Sequence, residues 1–196
     1  TRAPDGQIIN LSAPNIAAIL SPEGEALIPF HSDLEGLTPL PNAAMGLAFE
    51  GFTRLSYLPP ATQGGALIPR ALHGWRLFET HFGNRAFEAI ATLASGDMLA
   101  ILERKPNSDV AQAYHYTRDA WRGPYLLPSP SGWAVSGADT GPDGCLYLLE
   151  RRYRALRGFQ TQLVRLRGAL APPFDLSRDL VWRSAPLRMG NGEGLS

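Results

Sequence analysis

Short apolar runs separated by turn residues recur along this chain, and several of them alternate apolar and polar side chains. In the segment 161–167, Leu163, Val164 and Leu166 alternate with polar residues. A period of two is typical of a β-strand with one buried face. Turn sequences such as Pro142-Asp143-Gly144 separate the runs. The pattern therefore predicts strands joined by tight turns.

Each unit of this pattern contains four predicted strands. Two apolar runs around a turn come first, and an alternating third strand is predicted at 53–58, 111–117 and 161–167. A weaker fourth strand is predicted at 66–68, 125–127 and 180–182. No convincing helix is present, because Pro14 and Pro22 confine the one candidate turn at 15–20.

Two series of acidic residues recur at a fixed place in these units. The first series is Glu35, Glu88, Asp139 and Glu193, at intervals of 53, 51 and 54 residues. The second series is Glu50, Glu103 and Glu150. Four strands at a period near fifty residues are typical of propeller blades. The sequence predicts an all-β fold, a β-propeller of four-stranded antiparallel blades with three to four blades present and an incomplete ring.

The whole chain, 1–196, is expected to form part of one propeller domain, with repeats starting near residues 33, 86, 136 and 191. A β-sandwich also has short strands and turn signals. A sandwich gives no reason for an acid at a fixed point of every repeat, so the propeller is favoured. Because rings have four to eight blades, the chain is expected to be a fragment of a longer protein.

Charge and cysteine content exclude several classes of function. Lysine plus arginine and aspartate plus glutamate both number 18, which gives a formal net charge of zero. Nucleic-acid binding is disfavoured, because it needs clustered basic residues. Cys145 is the single cysteine, so no internal disulfide is predicted. We find neither an apolar run of membrane-spanning length nor a signal peptide. The pattern does not indicate an oligomeric state.

The first acidic series is a candidate metal site. In a propeller, the first strand of each blade lines the central channel, so Glu35, Glu88, Asp139 and Glu193 are expected to point at a common axis. Converging carboxylates repel one another unless a cation compensates. Ca²⁺ is the expected cation, because it takes oxygen ligands, and it can polarise a phosphoryl or carbonyl oxygen. The alternative is structural: each carboxylate accepts hydrogen bonds from backbone amides of the neighbouring blade.

The second acidic series is a candidate ligand-binding ring. Each of its members is followed within four residues by arginine: Glu50 by Arg54, Glu103 by Arg104, and Glu150 by Arg151 and Arg152. Arginines at one mouth of the channel are suited to a small anionic or ester ligand. The alternative is a set of ion pairs between blades or at the surface. No catalytic residue is identified, since the chain lacks metal-ligand histidine spacing and a Gly-x-Ser-x-Gly elbow.

Several longer motifs are distributed along the chain. They are Asp33-Leu34-Glu35-Gly36-Leu37, Phe49-Glu50-Gly51 with Arg54 after it, Asn84-Arg85-x-Phe87-Glu88-Ala89-Ile90-Ala91, Pro142-Asp143-Gly144-x-Leu146-Tyr147-Leu148-Leu149-Glu150-Arg151-Arg152-Tyr153 with Gly158-Phe159 after it, and Asn191-x-Glu193-Gly194-Leu195. Together they resemble the bacterial family called "esterase-like activity of phytase", over residues 24 to 196. The resemblance implies a propeller, a periplasmic or secreted location, and hydrolysis of an ester or phosphoester.

The leading functional hypothesis is therefore a phytase-like, esterase-like propeller hydrolase that depends on calcium. The alternative is a non-catalytic propeller that binds a ligand or partner at its channel mouth, or serves only as an interaction module. A propeller fold alone does not choose between them, because the same fold hosts all three.

Overall fold

The computed structural model describes residues 16–60, 66–78, 86–103, 109–130, 132–155, 158–169 and 174–186. Within these ranges the chain is all-β, with twelve strands, short 3-10 turns and no α-helix. The strands form three separate four-stranded sheets. The sequence-based prediction of an all-β fold is confirmed.

Each sheet is an antiparallel meander in chain order. The first contains β1 (Leu34–Pro39), β2 (Met45–Phe49), β3 (Arg54–Leu58) and β4 (Arg70–Ala71). The second contains β5 (Phe87–Thr92), β6 (Met98–Leu102), β7 (Val110–Thr117) and β8 (Ala120–Pro128). The third contains β9 (Ala134–Thr140), β10 (Leu146–Arg154), β11 (Gly158–Ala169) and β12 (Asp175–Arg183).

The first strands of the three sheets lie side by side. Strand β1 packs against β5, and β5 packs against β9, while the later strands of each sheet extend outward from this line. This is the arrangement of propeller blades, whose inner strands surround a common axis. The predicted four-stranded blades are therefore present, whereas the extent of the domain, 1–196, stays a prediction.

The predicted fourth strands differ from the observed ones in the first sheet. The segments 125–127 and 180–182 lie within β8 and β12, but β4 is the two-residue strand Arg70–Ala71 rather than 66–68. The reason is that Leu67 forms a parallel bridge with Ile19 of the N-terminal segment. The backbone groups that would have continued β4 are engaged by this segment instead.

Strands β5 and β6 of the middle sheet are buried on both faces. Strand β6 is a continuous apolar run, and all five of its side chains are buried. Leu99 and Ile101 pack toward the third sheet in one apolar cluster. Met98, Ala100 and Leu102 pack toward the first sheet in another. The two clusters fix the three sheets against one another and so set the positions of their inner strands.

Four aromatic rings pack together at one end of the apolar cluster between the first two sheets. Phe78, from the 3-10 turn Trp75–Phe78, stands edge-on to Phe87, Tyr114 and Trp121, with ring centroids 4.8, 4.8 and 5.3 Å away. Edge-to-face contacts of this kind add to the stabilisation from burial. They anchor the start of β5, which carries Glu88.

Candidate functional site

A β-bulge interrupts each inner strand at the same place. The extra residue is Glu35 in β1, Glu88 in β5 and Ser136 in β9, because the register shifts across these positions. A bulge bends the strand and redirects one side chain. Glu35 and Glu88 are thus structurally equivalent, as the repeat predicted. The third member of the series is Ser136, a residue that the search for acids missed.

Asp139 does not occupy the bulge of the third sheet, and its predicted equivalence to Glu35 and Glu88 is wrong. It lies near the end of β9, where it pairs with Tyr147 across the sheet. Its carboxylate accepts a hydrogen bond from the backbone amide of Thr140, at 2.8 Å. Matching the acids by their spacing gives the wrong equivalence in the third sheet. The Asp139 carboxylate binds the backbone at the end of β9, beside the β9–β10 turn.

The second acidic series is also shifted by one residue in the third sheet. The amide of Glu50 donates to the carbonyl of Asp33, and the amide of Glu103 donates to the carbonyl of Ala86, both at 2.8 Å. The residue at that place in the third sheet is Arg151, which pairs with Ala134. Glu150 precedes it, and side chains of successive strand residues point to opposite faces. Glu150 is therefore not equivalent to Glu50 and Glu103.

Glu150 instead forms a buried ion pair. Its side chain is fully buried, and Arg178 of β12 donates to both carboxylate oxygens at 3.0 and 2.6 Å. Gln162 donates to the same carboxylate at 2.6 Å, and Ser129, which follows β8, donates at 3.4 Å. This network joins three strands of the third sheet to the second sheet, so its role is structural.

Three carboxylates converge at the start of the first inner strand. Asp33, Glu35 and Glu50 each place an oxygen within 4.8 Å of the other two. Calcium–oxygen distances are 2.3–2.6 Å, so a single Ca²⁺ can contact all three. Glu35 belongs to the predicted metal set, whereas Asp33 and Glu50 do not. Asp33 lies just before β1, and the acidic residue does not recur at this place in the other repeats, so the spacing of acids could not predict it.

Glu50 is the least solvated member of this cluster. It is 7% exposed, and its Oε1 is buried without a hydrogen-bond partner. Burial raises the pKa of Glu50, and the charges of Glu35, Asp33 and Glu103 raise it further, although a hydrogen bond from the Ala86 amide lowers it. A buried carboxylate oxygen without a partner is costly. A cation among the three carboxylates would remove that cost.

Glu88 lies beside this cluster and is coupled to it. Its side chain is 8% exposed, and its Oε2 lies 3.4 Å from Nη2 of Arg151. Burial raises the pKa of Glu88 to about 7, against the opposing effect of Arg151, and the charges of Glu103, Glu50 and Glu35 raise it further. A carboxyl that titrates near neutral pH is suited to proton transfer.

Arg54 is not the partner of Glu50 that the sequence predicted. Its guanidinium carbon lies 3.6 Å from the centroid of the Phe49 ring. It donates to the carbonyl of His31 at 2.6 Å and to the carbonyl of Phe52 at 3.2 Å. Burial lowers its pKa to about 10. The predicted ring of Glu–Arg pairs is thus not formed at this position.

Two predicted site residues, Arg104 and Glu193, lie outside the described residues. The binding roles predicted for the ten candidates therefore stay predictions. The geometry divides the described candidates into one group that lies together and others that lie apart from it. Glu35, Glu50, Glu88, Glu103 and Arg151 gather at the inner strands, as the shared electrostatic effects on Glu50 and Glu88 show. Glu150, Asp139 and Arg54 have separate surroundings.

No helix among the described residues is long and apolar enough to span a membrane.

Comparison with known proteins identifies one family for this chain. A family model described as "Phytase-like: Esterase-like activity of phytase" matches residues 1–181. Neither the curated proteins nor the solved structures include a match to the chain. Residues 1–181 contain the acidic cluster and most of the three sheets. The chain belongs to the phytase-like family that is described by esterase-like activity of phytase.

Proposed function

We propose that this protein hydrolyses an ester or phosphoester in a calcium-dependent reaction at the inner-strand acids. The observation that carries the proposal is the buried, unpartnered Oε1 of Glu50 within a triangle of carboxylates. Asp33, Glu35 and Glu50 are the proposed calcium ligands, in place of the set predicted from the sequence. The family match supports the reaction class. The same resemblance supports a periplasmic or secreted location.

The donor set fits calcium better than a softer metal. All three ligands are carboxylates, and hard cations prefer oxygen. When bound, calcium supplies a positive charge that polarises the phosphoryl or carbonyl oxygen of the substrate. Three carboxylates leave room in its coordination shell for substrate and water, since Ca²⁺ takes six to eight oxygen ligands.

Glu88 is the proposed general base. As the carboxylate it accepts a proton from a water molecule while the water oxygen attacks the carbonyl carbon or phosphorus. As the carboxylic acid it gives that proton to the departing oxygen while the C–O or P–O ester bond breaks, so the alcohol leaves neutral and Glu88 returns to the carboxylate. Its pKa of about 7 allows both forms near neutral pH. Burial, which excludes water around Glu88, sets this value.

Arg151 is the proposed orienting group. Its guanidinium contacts Glu88 at 3.4 Å, and its side chain is 20% exposed, so a small ligand can reach it. An anionic or polarised substrate oxygen can accept hydrogen bonds from arginine. The second strand of the third sheet thus contributes a cation, Arg151, at the place where Glu50 and Glu103 follow the second strands of the other two sheets. This asymmetry favours a small anionic or ester ligand over a cationic one.

Hydrolysis of p-nitrophenyl acetate and p-nitrophenyl phosphate, with calcium or a chelator, tests the proposal. We expect turnover that needs calcium and that falls by about 10²–10⁴-fold in Glu88→Gln, the range for loss of a general base. Asp139→Asn removes one acid from outside the cluster and is the matched control, with turnover expected to be unchanged. Wild-type protein that binds calcium but turns over neither ester would refute catalysis and leave the non-catalytic binding propeller.

A further inference from the structure

A cleft on the first sheet carries chemistry that the proposed reaction does not use. It has a volume of about 270 Å³ and lies between the N-terminal segment and strands β3 and β4. Leu20, Leu27, Phe52 and Pro69 supply much of its lining. Small-molecule sites are typically concave and mostly apolar, with a few polar groups that fix orientation. This cleft is at the small end of that class.

Two polar groups of the cleft come from one strand, and Ser21, Glu23 and His31, which precede β1, also line it. Arg54 and Ser56 are two residues apart on β3, so they share one face of the strand, and both line the cleft. The bonds of Arg54 to the carbonyls of His31 and Phe52 hold its guanidinium in place. These carbonyls are neutral, so they fix the group without cancelling its charge.

The positive charge of Arg54 has no acidic counterpart among the described contacts. Glu23, which also lines the cleft, is exposed and forms no ion pair with Arg54 in the described part of the chain. Burial alone lowers the pKa of Arg54 to about 10. A partly desolvated cation that lacks an anion is unfavourable, and most buried arginines are paired. The cleft is therefore electrostatically complementary to an anion.

We propose that this cleft binds a small monocarboxylate that bears a short apolar chain. The guanidinium of Arg54 would receive the carboxylate, because the planar fork of arginine matches a carboxylate in two hydrogen bonds. The hydroxyl of Ser56 is a further donor on the same face. The chain would lie against Leu20, Leu27 and Phe52. Free phosphate fits less well, because much of the wall is apolar and would leave some of its remaining oxygens without partners.

Isothermal titration calorimetry with hexanoate tests this proposal on the whole chain, with 1-hexanol and inorganic phosphate as comparison ligands. We expect hexanoate to bind at millimolar concentration or below, and to bind at least tenfold more tightly than either comparison ligand. Arg54→Gln should reduce hexanoate affinity at least tenfold. Arg70→Gln removes the same charge from exposed β4, outside the cleft lining, and should leave affinity within twofold.

A second variant guards against a folding defect in Arg54→Gln. Ala71→Trp places a large ring in the cleft and leaves Arg54 and its carbonyl partners intact, so it should abolish hexanoate binding. Equal affinities for hexanoate and 1-hexanol would overturn the proposal, as would equal affinities for hexanoate and phosphate. Undiminished hexanoate binding by Ala71→Trp would also overturn it, and so would the absence of binding to wild type.

Discussion

Replacing Arg178 by leucine is expected to lower the free energy of unfolding by about 3–5 kcal/mol. The substitution leaves Glu150 fully buried without the cation that donates to both of its carboxylate oxygens. Gln162 and Ser129 remain as donors, but they are neutral. Removing one partner of a buried ion pair leaves an uncompensated charge in a poorly solvated interior, so the loss of folding free energy is large. Urea denaturation measures the loss.

Arg167→Leu is the matched control for this prediction. Arg167 also pairs with a carboxylate in the third sheet, Asp179 at 2.6 Å, but its side chain is 54% exposed. Exposed ion pairs contribute up to about 1 kcal/mol, so its loss should be correspondingly small. Adding Glu150→Gln to Arg178→Leu should restore part of the stability, because the buried charge is then gone. Equal losses for Arg178→Leu and Arg167→Leu would contradict the structural role of Glu150.

The stability of the calcium-free protein is expected to fall as pH rises from about 4.5 to about 7. In the folded state burial raises the pKa of Glu88 to about 7 from an ordinary value of 4.5, so between these values the folded protein holds a proton that the unfolded chain has released. Stability decreases with pH wherever the folded state binds more protons. A difference of this size corresponds to roughly 3 kcal/mol.

Comparison with Glu88→Gln isolates this effect from the other titrating groups. The charged groups facing Glu88 are Arg151, which lowers its pKa, and Glu103, Glu50 and Glu35, which raise it. Glutamine remains neutral, so the variant should lose most of the decline and become more stable than wild type above pH 7. The measurement is urea denaturation at a series of pH values with a chelator present. Parallel pH profiles for the two proteins would show that Glu88 ionises normally.

The sequence could predict the fold because each blade repeats the same physical pattern. Alternation along 161–167 and the turn at 142–144 mark strands whatever their neighbours are. The fourth strand of the first sheet was misplaced because Leu67 bridges to Ile19, a contact 48 residues away in sequence. Pairing with a distant segment cannot be deduced from the local pattern. The boundaries of weak edge strands are therefore the least predictable part of the fold.

The sequence named Glu35, Glu50, Glu88 and Arg151 as ligand-binding candidates but not Asp33, and it aligned the third sheet incorrectly because β-bulges are invisible in it. The spacing of the acids predicts Glu35 and Glu88, which lie 53 residues apart and occupy equivalent bulges. In the third sheet the bulge falls on Ser136, so matching acid to acid selected Asp139 instead. A shift of one residue also moves a side chain to the other face, which separated Glu150 from its supposed equivalents. Only the register across strands resolves these cases.

The shift of the melting temperature on adding calcium tests the proposed cation site most directly. A ligand that binds only the folded protein stabilises it by about 2.7 kcal/mol at a hundredfold excess over its dissociation constant. We expect calcium to raise the melting temperature of wild type and of Asp139→Asn, and to have no effect on Glu50→Gln, which lacks the buried ligand. A wild type indifferent to calcium, or a shift lost in Asp139→Asn and kept in Glu50→Gln, would contradict a site built from Asp33, Glu35 and Glu50.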